Sequence, residues 1–347
     1  MRNLLHSHSP LRIFGISSLI TLAALVGVLC GMGPGDTLVI LILIVVEIAF
    51  SFDNAIINAK ILSKLSTFWQ TMFLTVGMII AVVGMRVVFP LLIVSVSAHL
   101  SWGDVVNLAL HHPHEYAHQL DAAHPAISAF GGAFLMVLAL EFFIDDRRKV
   151  VWLRRIERPL QSISRIWVPA VLSLAAVGIV AIIPANHHAS TTLVAGALGV
   201  ASHIAIQLFM QLFGRGRPEG SKTANIELTG LTAFWAFVYL QILDASFSFD
   251  GVIGAFAITT SIVLIAIGLG VGALWVRSLT VFLVRKGTLD NYIYLEHGAH
   301  YTIGVLAVVL LLGTVLYVPD ILTGLVGIGI IGSSVVASRQ ALQARRQ

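Results

Sequence analysis

Four acidic residues lie deep within long apolar segments of this 347-residue sequence, away from the segment ends: Glu47, Asp53, Asp244 and Asp250. A carboxylate at the centre of a membrane helix costs about 2.5–3.5 kcal/mol on insertion scales, so acids in such positions are usually functional. Carboxylates in a membrane can bind divalent cations or take up protons. The structural alternative is that the acids are protonated and only form hydrogen bonds between helices.

The four acids belong to two copies of one short motif. Residues 47–56 read EIAFSFDNAI and residues 244–253 read DASFSFDGVI, with a constant offset of 197 residues. The shared pattern is an acid followed three residues later by Phe-Ser-Phe-Asp. Asn54 in the first copy corresponds to Gly251 in the second, so a site built from both copies would not be two-fold symmetric.

Helical geometry arranges the polar residues of each copy in a stripe, since successive side chains are about 100° apart. The stripe of the first copy contains Glu47, Ser51, Asn54 and Asn58, and that of the second contains Asp244, Ser248 and Gly251. Asp53 and Asp250 lie about 120° away on ideal helices. Either the helices unwind near Ser-Phe-Asp and bring all four acids inward, or each acid faces a different partner. These oxygen ligands suit Mg²⁺, Ca²⁺ and Mn²⁺ rather than Cu⁺.

The composition indicates what kind of element carries the motif. Hydrophobic residues make up 57% of the chain, charged residues make up only 11%, and the mean hydropathy is +0.93. These values exclude a soluble enzyme, a disordered chain and a fibrous repeat. Cys30 is the only cysteine, which excludes internal disulfides, CxxC redox pairs and multi-thiolate metal sites. We therefore expect an all-α polytopic membrane protein.

Ten apolar segments are candidates for membrane spans. They cover residues 12–33, 36–60, 68–97, 125–144, 167–184, 191–213, 228–257, 259–284, 297–317 and 320–337. Lysine and arginine residues concentrate in alternate connections, which places both termini in the cytoplasm. The expected location is the plasma membrane or a bacterial inner membrane.

The two motif copies lie in predicted spans two and seven, and therefore run in opposite directions. This arrangement predicts an inverted three-helix repeat, with the ion site near the bilayer midplane. We divide the chain into an N-terminal signal-anchor helix (1–35), repeat one with a His-rich outer loop (36–145), a basic inner loop with two linking helices (146–226), repeat two (227–317), and a last helix with a cytoplasmic tail (318–347).

The two copies resemble the paired signatures of TerC-type integral membrane proteins, and most closely a TerC-related subfamily labelled as a domain of unknown function. The resemblance covers about residues 36–317, and FSFDN and FSFDG are its most specific parts. It implies export of Mn²⁺ or a related divalent cation and an association with tellurium resistance and metal stress. Carried over by motif, it implies an ion site made of Glu47, Asp53, Asn54, Asp244 and Asp250.

Further residues are candidates for a metal or proton path. Ser51, Asn58 and Ser248 extend the polar stripes. Glu296, His297 and His300 lie near the cytoplasmic edge of predicted span nine, where they could guide a metal or move protons. The alternative is that these histidines are interfacial and hydrogen-bonded to neighbours.

Three other polar residues in apolar segments have simpler expectations. Arg86 either balances the acids as a counter-ion or reaches the outer interface. His203 is expected to be a satisfied buried polar group. Glu141 lies close to the inner boundary, where it is expected to belong with Asp145 and Asp146.

Five histidines crowd the predicted outer loop: His111, His112, His114, His118 and His124. Residues 114–118 read HEYAH, which would place two zinc-binding histidines on one face of a helix, with the glutamate as general base. A loop so rich in histidine produces such a match easily, and no third ligand is fixed. A low-affinity or pH-sensitive outer metal-binding loop and a solvated polar loop are the alternatives.

The leading hypothesis is therefore a secondary transporter that exports a divalent cation, with Mn²⁺ preferred and proton coupling permitted by the acids. Alternatives are a non-transporting membrane scaffold in metal or tellurium stress, an exporter of a small organic solute, and a membrane zinc metalloprotease. We expect no enzymatic activity, no permanently bound cofactor and no nucleic-acid partner. The expected partners are a divalent metal ion and the lipid bilayer, and the oligomeric state is not indicated by the sequence.

Overall fold

The computed structural model describes residues 10–214, 228–259, 261–286, 292–316, 318 and 320–344. Within these residues the chain is helical and contains no strand. The only β-type pairing there is one isolated parallel bridge between Leu65 and Leu228. The prediction of an all-α protein is confirmed.

The described residues form α-helices and one π-helical segment. In chain order they are α1 (Pro10–Gly31), α2 (Pro34–Phe50), α3 (Phe52–Leu62), α4 (Thr67–Ile79), a π-helical segment (Ile80–Val88), α5 (Phe89–Ser97), α6 (Trp102–His111), α7 (Pro113–Ile144), α8 (Arg154–Ser162), α9 (Val168–Ala181), α10 (Ala189–Gly214), α11 (Gly230–Ile258), α12 (Ile262–Lys286), α13 (Leu295–Gly313) and α14 (Asp320–Ala344).

Seven helices among the described residues are long and apolar enough to cross a membrane: Ile13–Gly31, Thr67–Val96, Pro113–Ile144, Ala189–Phe209, Ile262–Val284, Leu295–Gly313 and Leu322–Ala344. An eighth crossing results if the bent pair Pro34–Ala49 and Asn54–Leu62 counts as one span. The apolar stretches Val168–Ala181 and Gly230–Ala245 are shorter. These helices indicate a multi-pass membrane protein, and length alone supports seven or eight of the ten predicted spans.

The predicted His-rich outer loop is helical instead. It is occupied by α6 and by the first turns of α7, which begins at Pro113 rather than near residue 125. Tyr116, Leu120 and Ala123 are buried, and they share one face of this helix. An apolar face of this kind stabilises an amphipathic helix, which explains why the segment folds regularly despite its many histidines.

The described chain divides into two compact units. The first contains the described residues of Met1–Ser63, Gln70–Ala123 and Phe247–Thr288. In it α12 is the central helix, because it contacts α1, α2, α3 and the π-helical segment. Part of its core is an apolar cluster of Val28, Ile40, Ile44, Leu264 and Val271.

Two glycines of α12 allow α2 to approach closely. A Cβ atom at Gly268 would lie 2.6 Å from Cβ of Leu43, and one at Gly272 would lie 2.5 Å from Cβ of Glu47. The glycines are four residues apart, as are the two α2 residues they meet. This is the small-xxx-small packing common between membrane helices, and it fixes the motif acid Glu47 against α12.

The segment predicted as a signal-anchor, α1, is packed into the first unit. Trp275 Nε1 of α12 donates a hydrogen bond to Thr21 Oγ1 at 2.8 Å, and the hydroxyls of Ser17 and Ser278 are 2.6 Å apart. Leu19 and Leu22 are largely exposed, as expected for side chains that face lipid. Polar side chains thus attach α1 to α12, where lipid offers no competing hydrogen bonds.

The second unit contains the described residues of Lys64–Trp69, His124–Ser246 and Leu289–Gln347. In this unit α9 packs on α10 and α13, and α13 packs on α14. An apolar cluster joins α7, α9, α10 and α13 through Ala133, Val137, Val177, Val180, Val200 and Leu311.

Candidate ion-binding site

Glu47 lies near the end of α2 and is the best-defined acid of the first unit. Its side chain is 3% exposed, and its carboxylate accepts a hydrogen bond from Ser51 Oγ at 3.1 Å. The same oxygen, Oε1, also accepts from Arg86. Helical spacing accounts for the serine contact, because residues four apart lie on one face. Glu47 and Ser51 therefore sit together as the polar stripe predicts.

Arg86 is the counter-ion of Glu47. Its guanidinium is 2% exposed and donates to Glu47 Oε1 and to the carbonyl oxygen of Ala81. Arg86 lies in the π-helical segment, where the backbone N–H of Phe89 donates to the carbonyl of Gly84, five residues earlier. Of the two expectations for Arg86, the structure shows the buried ion pair.

The first motif copy interrupts its helix. Ser51 separates α2 from α3 with φ −98° and ψ 14°, and the two helical arms Pro34–Ala49 and Asn54–Leu62 are bent by 56°. Asn54 and Asn58 follow the bend and are both buried. Asn58 Oδ1 has no hydrogen-bond partner among the described residues. The side chain of Asp53 lies outside the described residues, so its direction stays a prediction.

The backbone of the second motif copy reaches the acid of the first copy. A Cβ atom at Gly251 would lie only 3.3 Å from Glu47 Oε2. Gly251 follows Asp250 directly in the chain, although the side chains of Ser248 and Asp250 lie outside the described residues. The residue that breaks the symmetry of the motif is thus the one that adjoins Glu47.

The second copy does not interrupt its helix, because α11 continues from Gly230 to Ile258. Asp244 is buried within the second unit. Gln241, one turn earlier, is also buried, and neither its Nε2 nor its Oε1 has a hydrogen-bond partner among the described residues. Sequence analysis did not select Gln241, although its position three residues before Asp244 places it on the same helical face.

The three residues predicted at the inner edge are tied into local contacts in the second unit. Glu296 pairs with Arg148 at 3.0 Å. His297 Nε2 lies 3.0 Å from the carbonyl oxygen of Val150 and 3.5 Å from Glu157 Oε2. His300 Nδ1 lies 2.8 Å from the carbonyl of Glu296. The two histidines are thus hydrogen-bonded to neighbours, whereas their place at the membrane interface and a metal or proton path through them stay predictions.

Glu157 anchors the short basic helix α8 to α13. Its carboxylate accepts from the backbone N–H of Leu153 at 3.0 Å and from Tyr301 Oη at 3.1 Å. The side chain is almost completely buried, whereas Arg154 and Arg158 on α8 are exposed. This buried carboxylate was not selected from the sequence, where it was surrounded by arginines.

The five histidines of the predicted outer loop lie on α6, on α7 or, for His112, between them, and metal binding by them stays a prediction. His111, His112, His114 and His118 are exposed, and His124 lies 3.0 Å from Ser128 Oγ. Among the described residues, no group of three or more His, Cys, Asp or Glu side chains is arranged to hold a metal ion. The HEYAH motif occupies the first turns of α7, as a zinc protease would require, but a third ligand is absent from the described part of the chain.

The chain is thus a multi-pass helical protein with a buried acid–base pair beside a broken helix. Residues 52–346 match the family described as "Protein of unknown function (DUF475)", and the chain belongs to this family. The match includes Asp53, Asn54, Asp244 and Asp250 but begins after Glu47. It agrees with the expected domain of unknown function and does not link the chain to TerC proteins. No curated protein matches the chain, and no solved structure does so.

Proposed function

We propose that this protein is a secondary transporter that exports a divalent metal cation, with manganese as the preferred ion. The observation that supports this proposal best is the meeting of the two motif copies, where Gly251 leaves room beside the buried Glu47 carboxylate. Broken helices and buried oxygen ligands are the usual components of ion sites in transporters built from repeats. Carboxylate, hydroxyl and amide oxygens suit a hard dication such as Mn²⁺.

In this mechanism Arg86 takes the place of the cation when the site is empty. The pair of Glu47 and Arg86 is neutral overall, so it can remain buried without a bound ion. Asp53 and Asp250 of the two motif cores then provide the two negative charges that balance a dication. Asn54 and Asn58 supply further oxygen ligands. Binding of the ion displaces the guanidinium from Glu47, and release of the ion lets it return.

Transport follows from the relation between the repeats. The proposal retains an inverted repeat, ten membrane crossings and cytoplasmic termini, in a plasma or bacterial inner membrane. Alternating access then requires that the repeats rock around the site, and protons occupy the carboxylates during the return step. The resemblance to TerC proteins supports the choice of ion.

The test is manganese efflux from metal-loaded cells that express the wild type, Asp53→Asn or Asp250→Asn at equal membrane abundance. Asp121→Asn is the matched control, because Asp121 is an exposed acid of α7. We expect fast efflux for the wild type and the control and loss of efflux for the two motif variants. Equal efflux in all four strains would refute the ion site. No efflux above background in any strain would favour the scaffold, and flux without a metal requirement would favour an organic solute.

A further inference from the structure

A second polar cluster lies between α7 and α10, entirely within the second unit. Glu141 Oε2 lies 3.0 Å from His203 Nε2 and 2.5 Å from Gln207 Nε2, and the two nitrogens are 3.2 Å apart. Glu141 is on α7, whereas His203 and Gln207 are one turn apart on α10. From the sequence we expected Glu141 to belong with Asp145 and Asp146 near the inner boundary, so its contact with His203 and Gln207 was not predicted.

The packing of α10 on α7 brings these groups together. Gly199 lies one turn before His203, and a Cβ atom at that position would be 2.3 Å from the carbonyl oxygen of Phe130. Only glycine permits this approach of the two backbones. The close packing of α10 on α7 therefore brings the His203 ring within hydrogen-bonding distance of Glu141.

The two ionisable groups differ in their access to the surroundings. His203 is completely buried and packs edge-on against the rings of Phe134 and Tyr239, at centroid distances of 5.0 and 5.9 Å. Its Nδ1 has no hydrogen-bond partner among the described residues. The Glu141 side chain is 31% exposed. A proton can therefore enter at Glu141 and be shared with an enclosed imidazole.

The other titratable groups near the pair are few. Tyr239 faces it from α11. Asp145 directly follows the end of α7, four residues after Glu141, and its carboxylate is 3.8 Å from Arg148. The sequence of α9 contains no titratable side chain. In the part of α11 that belongs to this unit, the acidic residue is Asp244. Within the described residues, no lysine or arginine forms an ion pair with Glu141, and His203 is the basic side chain in contact with it.

We propose that Glu141 and His203 form a proton-binding pair, separate in sequence from the motif acids, and that this pair couples proton entry to metal export. The proton moves between Glu141 Oε2 and His203 Nε2, and Gln207 orients the carboxylate by donating to the same oxygen. Ionisable residues inside membrane proteins commonly serve as such proton relays. The coupling role rests on the proposed metal transport, whereas proton binding by the pair does not.

Proton binding can be tested on the purified protein in lipid by infrared difference spectroscopy between acidic and alkaline pH. The Glu141→Gln variant identifies the carboxyl band of Glu141 by its loss. His203→Gln should shift that band, whereas His187→Gln, which changes an exposed histidine just before α10, should leave it in place. A band that is unchanged in His203→Gln would show that the two groups do not share a proton, and would overturn the proposal.

Coupling is tested in proteoliposomes loaded with Mn²⁺. A pH gradient of one unit supports about a tenfold ion gradient for each proton exchanged. The wild type and His187→Gln should reach such a gradient, and Glu141→Gln should lose the gradient by a larger factor than it loses Mn²⁺–Mn²⁺ exchange. An undiminished gradient in Glu141→Gln would overturn the coupling role. Absence of Mn²⁺ exchange in the wild type would refute the proposed transport, and the infrared result would then decide the proton pair alone.

Discussion

Replacing Arg86 by glutamine should leave the Glu47 carboxylate buried without its counter-charge. Both side chains are at least 97% enclosed, so water cannot replace the lost partner. Removing one member of a buried ion pair typically costs about 3–5 kcal/mol. Glu47→Gln should cost a similar amount, because it leaves the guanidinium in the same position. The double variant removes both charges and should recover most of this loss.

The measurement is thermal unfolding of the four proteins in one detergent, followed by tryptophan fluorescence. A thiol-reactive dye is unsuitable, because the only cysteine, Cys30, is already exposed in the folded chain. Arg158→Gln, which changes an exposed arginine of α8, is the control and should unfold like the wild type. If the Glu47→Gln and Arg86→Gln losses simply add in the double variant, the two residues do not stabilise each other, and the argument from the pair is refuted.

The Arg86→Gln variant also tests whether the Arg86 guanidinium occupies the position of the transported cation or only stabilises the fold. Hydrogen bonds to charged groups contribute about 1.5–3 kcal/mol, so removal of Arg86 as a competitor should tighten Mn²⁺ binding by ~10- to 100-fold. Ligand binding raises the unfolding temperature, so Mn²⁺ should stabilise Arg86→Gln at lower concentrations than the wild type. Weaker Mn²⁺ binding in Arg86→Gln would show that the guanidinium does not occupy the cation position.

Three further changes follow from individual contacts. Gly272→Ala places a Cβ atom 2.5 Å from Glu47 Cβ. This overpacking should lower the free energy of unfolding by about 1–3 kcal/mol and reduce metal flux. Gly27→Ala, whose new Cβ atom would meet open space, is the control in the thermal unfolding and flux assays. Glu157→Ala removes the acceptor of two backbone N–H groups at the start of α8. It should cost about 1.5–3 kcal/mol and speed limited proteolysis of that helix, and unchanged cleavage would contradict this. Glu115→Gln should leave metal flux unaltered, and loss of a zinc-dependent peptidase activity in it would revive the protease alternative.

Hydrophobicity predicted most of the helices, because burial of backbone groups in lipid leaves a helix as the only solution for a long apolar segment. The sequence left open whether the helices unwind near Ser-Phe-Asp, and it gave no reason to distinguish the copies, since Phe-Ser-Phe is present in both. Only the first copy is interrupted, at Ser51. The helical start of α7 was also missed. The helical spacing of the apolar residues Tyr116, Leu120 and Ala123 could have indicated this helix. The segment was instead interpreted as a loop because of its many histidines.

The motif was sufficient to select Glu47 but not its surroundings. Its partner Arg86 lies 39 residues away, and spacing in the sequence gives no reason to prefer that contact over the outer interface. Gly272, which permits α12 to pack against Glu47, lies further still along the chain. The pair of Glu141 and His203 has no motif at all, because it depends on the close approach of two helices at Gly199. These contacts depend on how the helices pack in three dimensions, and no local sequence pattern predicts that packing.

The motif cores FSFDN and FSFDG differ at one position, Asn54 and Gly251, and the packing accounts for this difference. Asn54 of the first copy is buried just after the bend, whereas its counterpart Gly251 lies on an uninterrupted helix beside Glu47 Oε2. An asparagine at 251 would need the space that the carboxylate fills, and a glycine at 54 would remove an amide from the bend. In the proposed ion site the two copies therefore have different roles: the first contributes a buried amide, and the second brings its backbone close to Glu47.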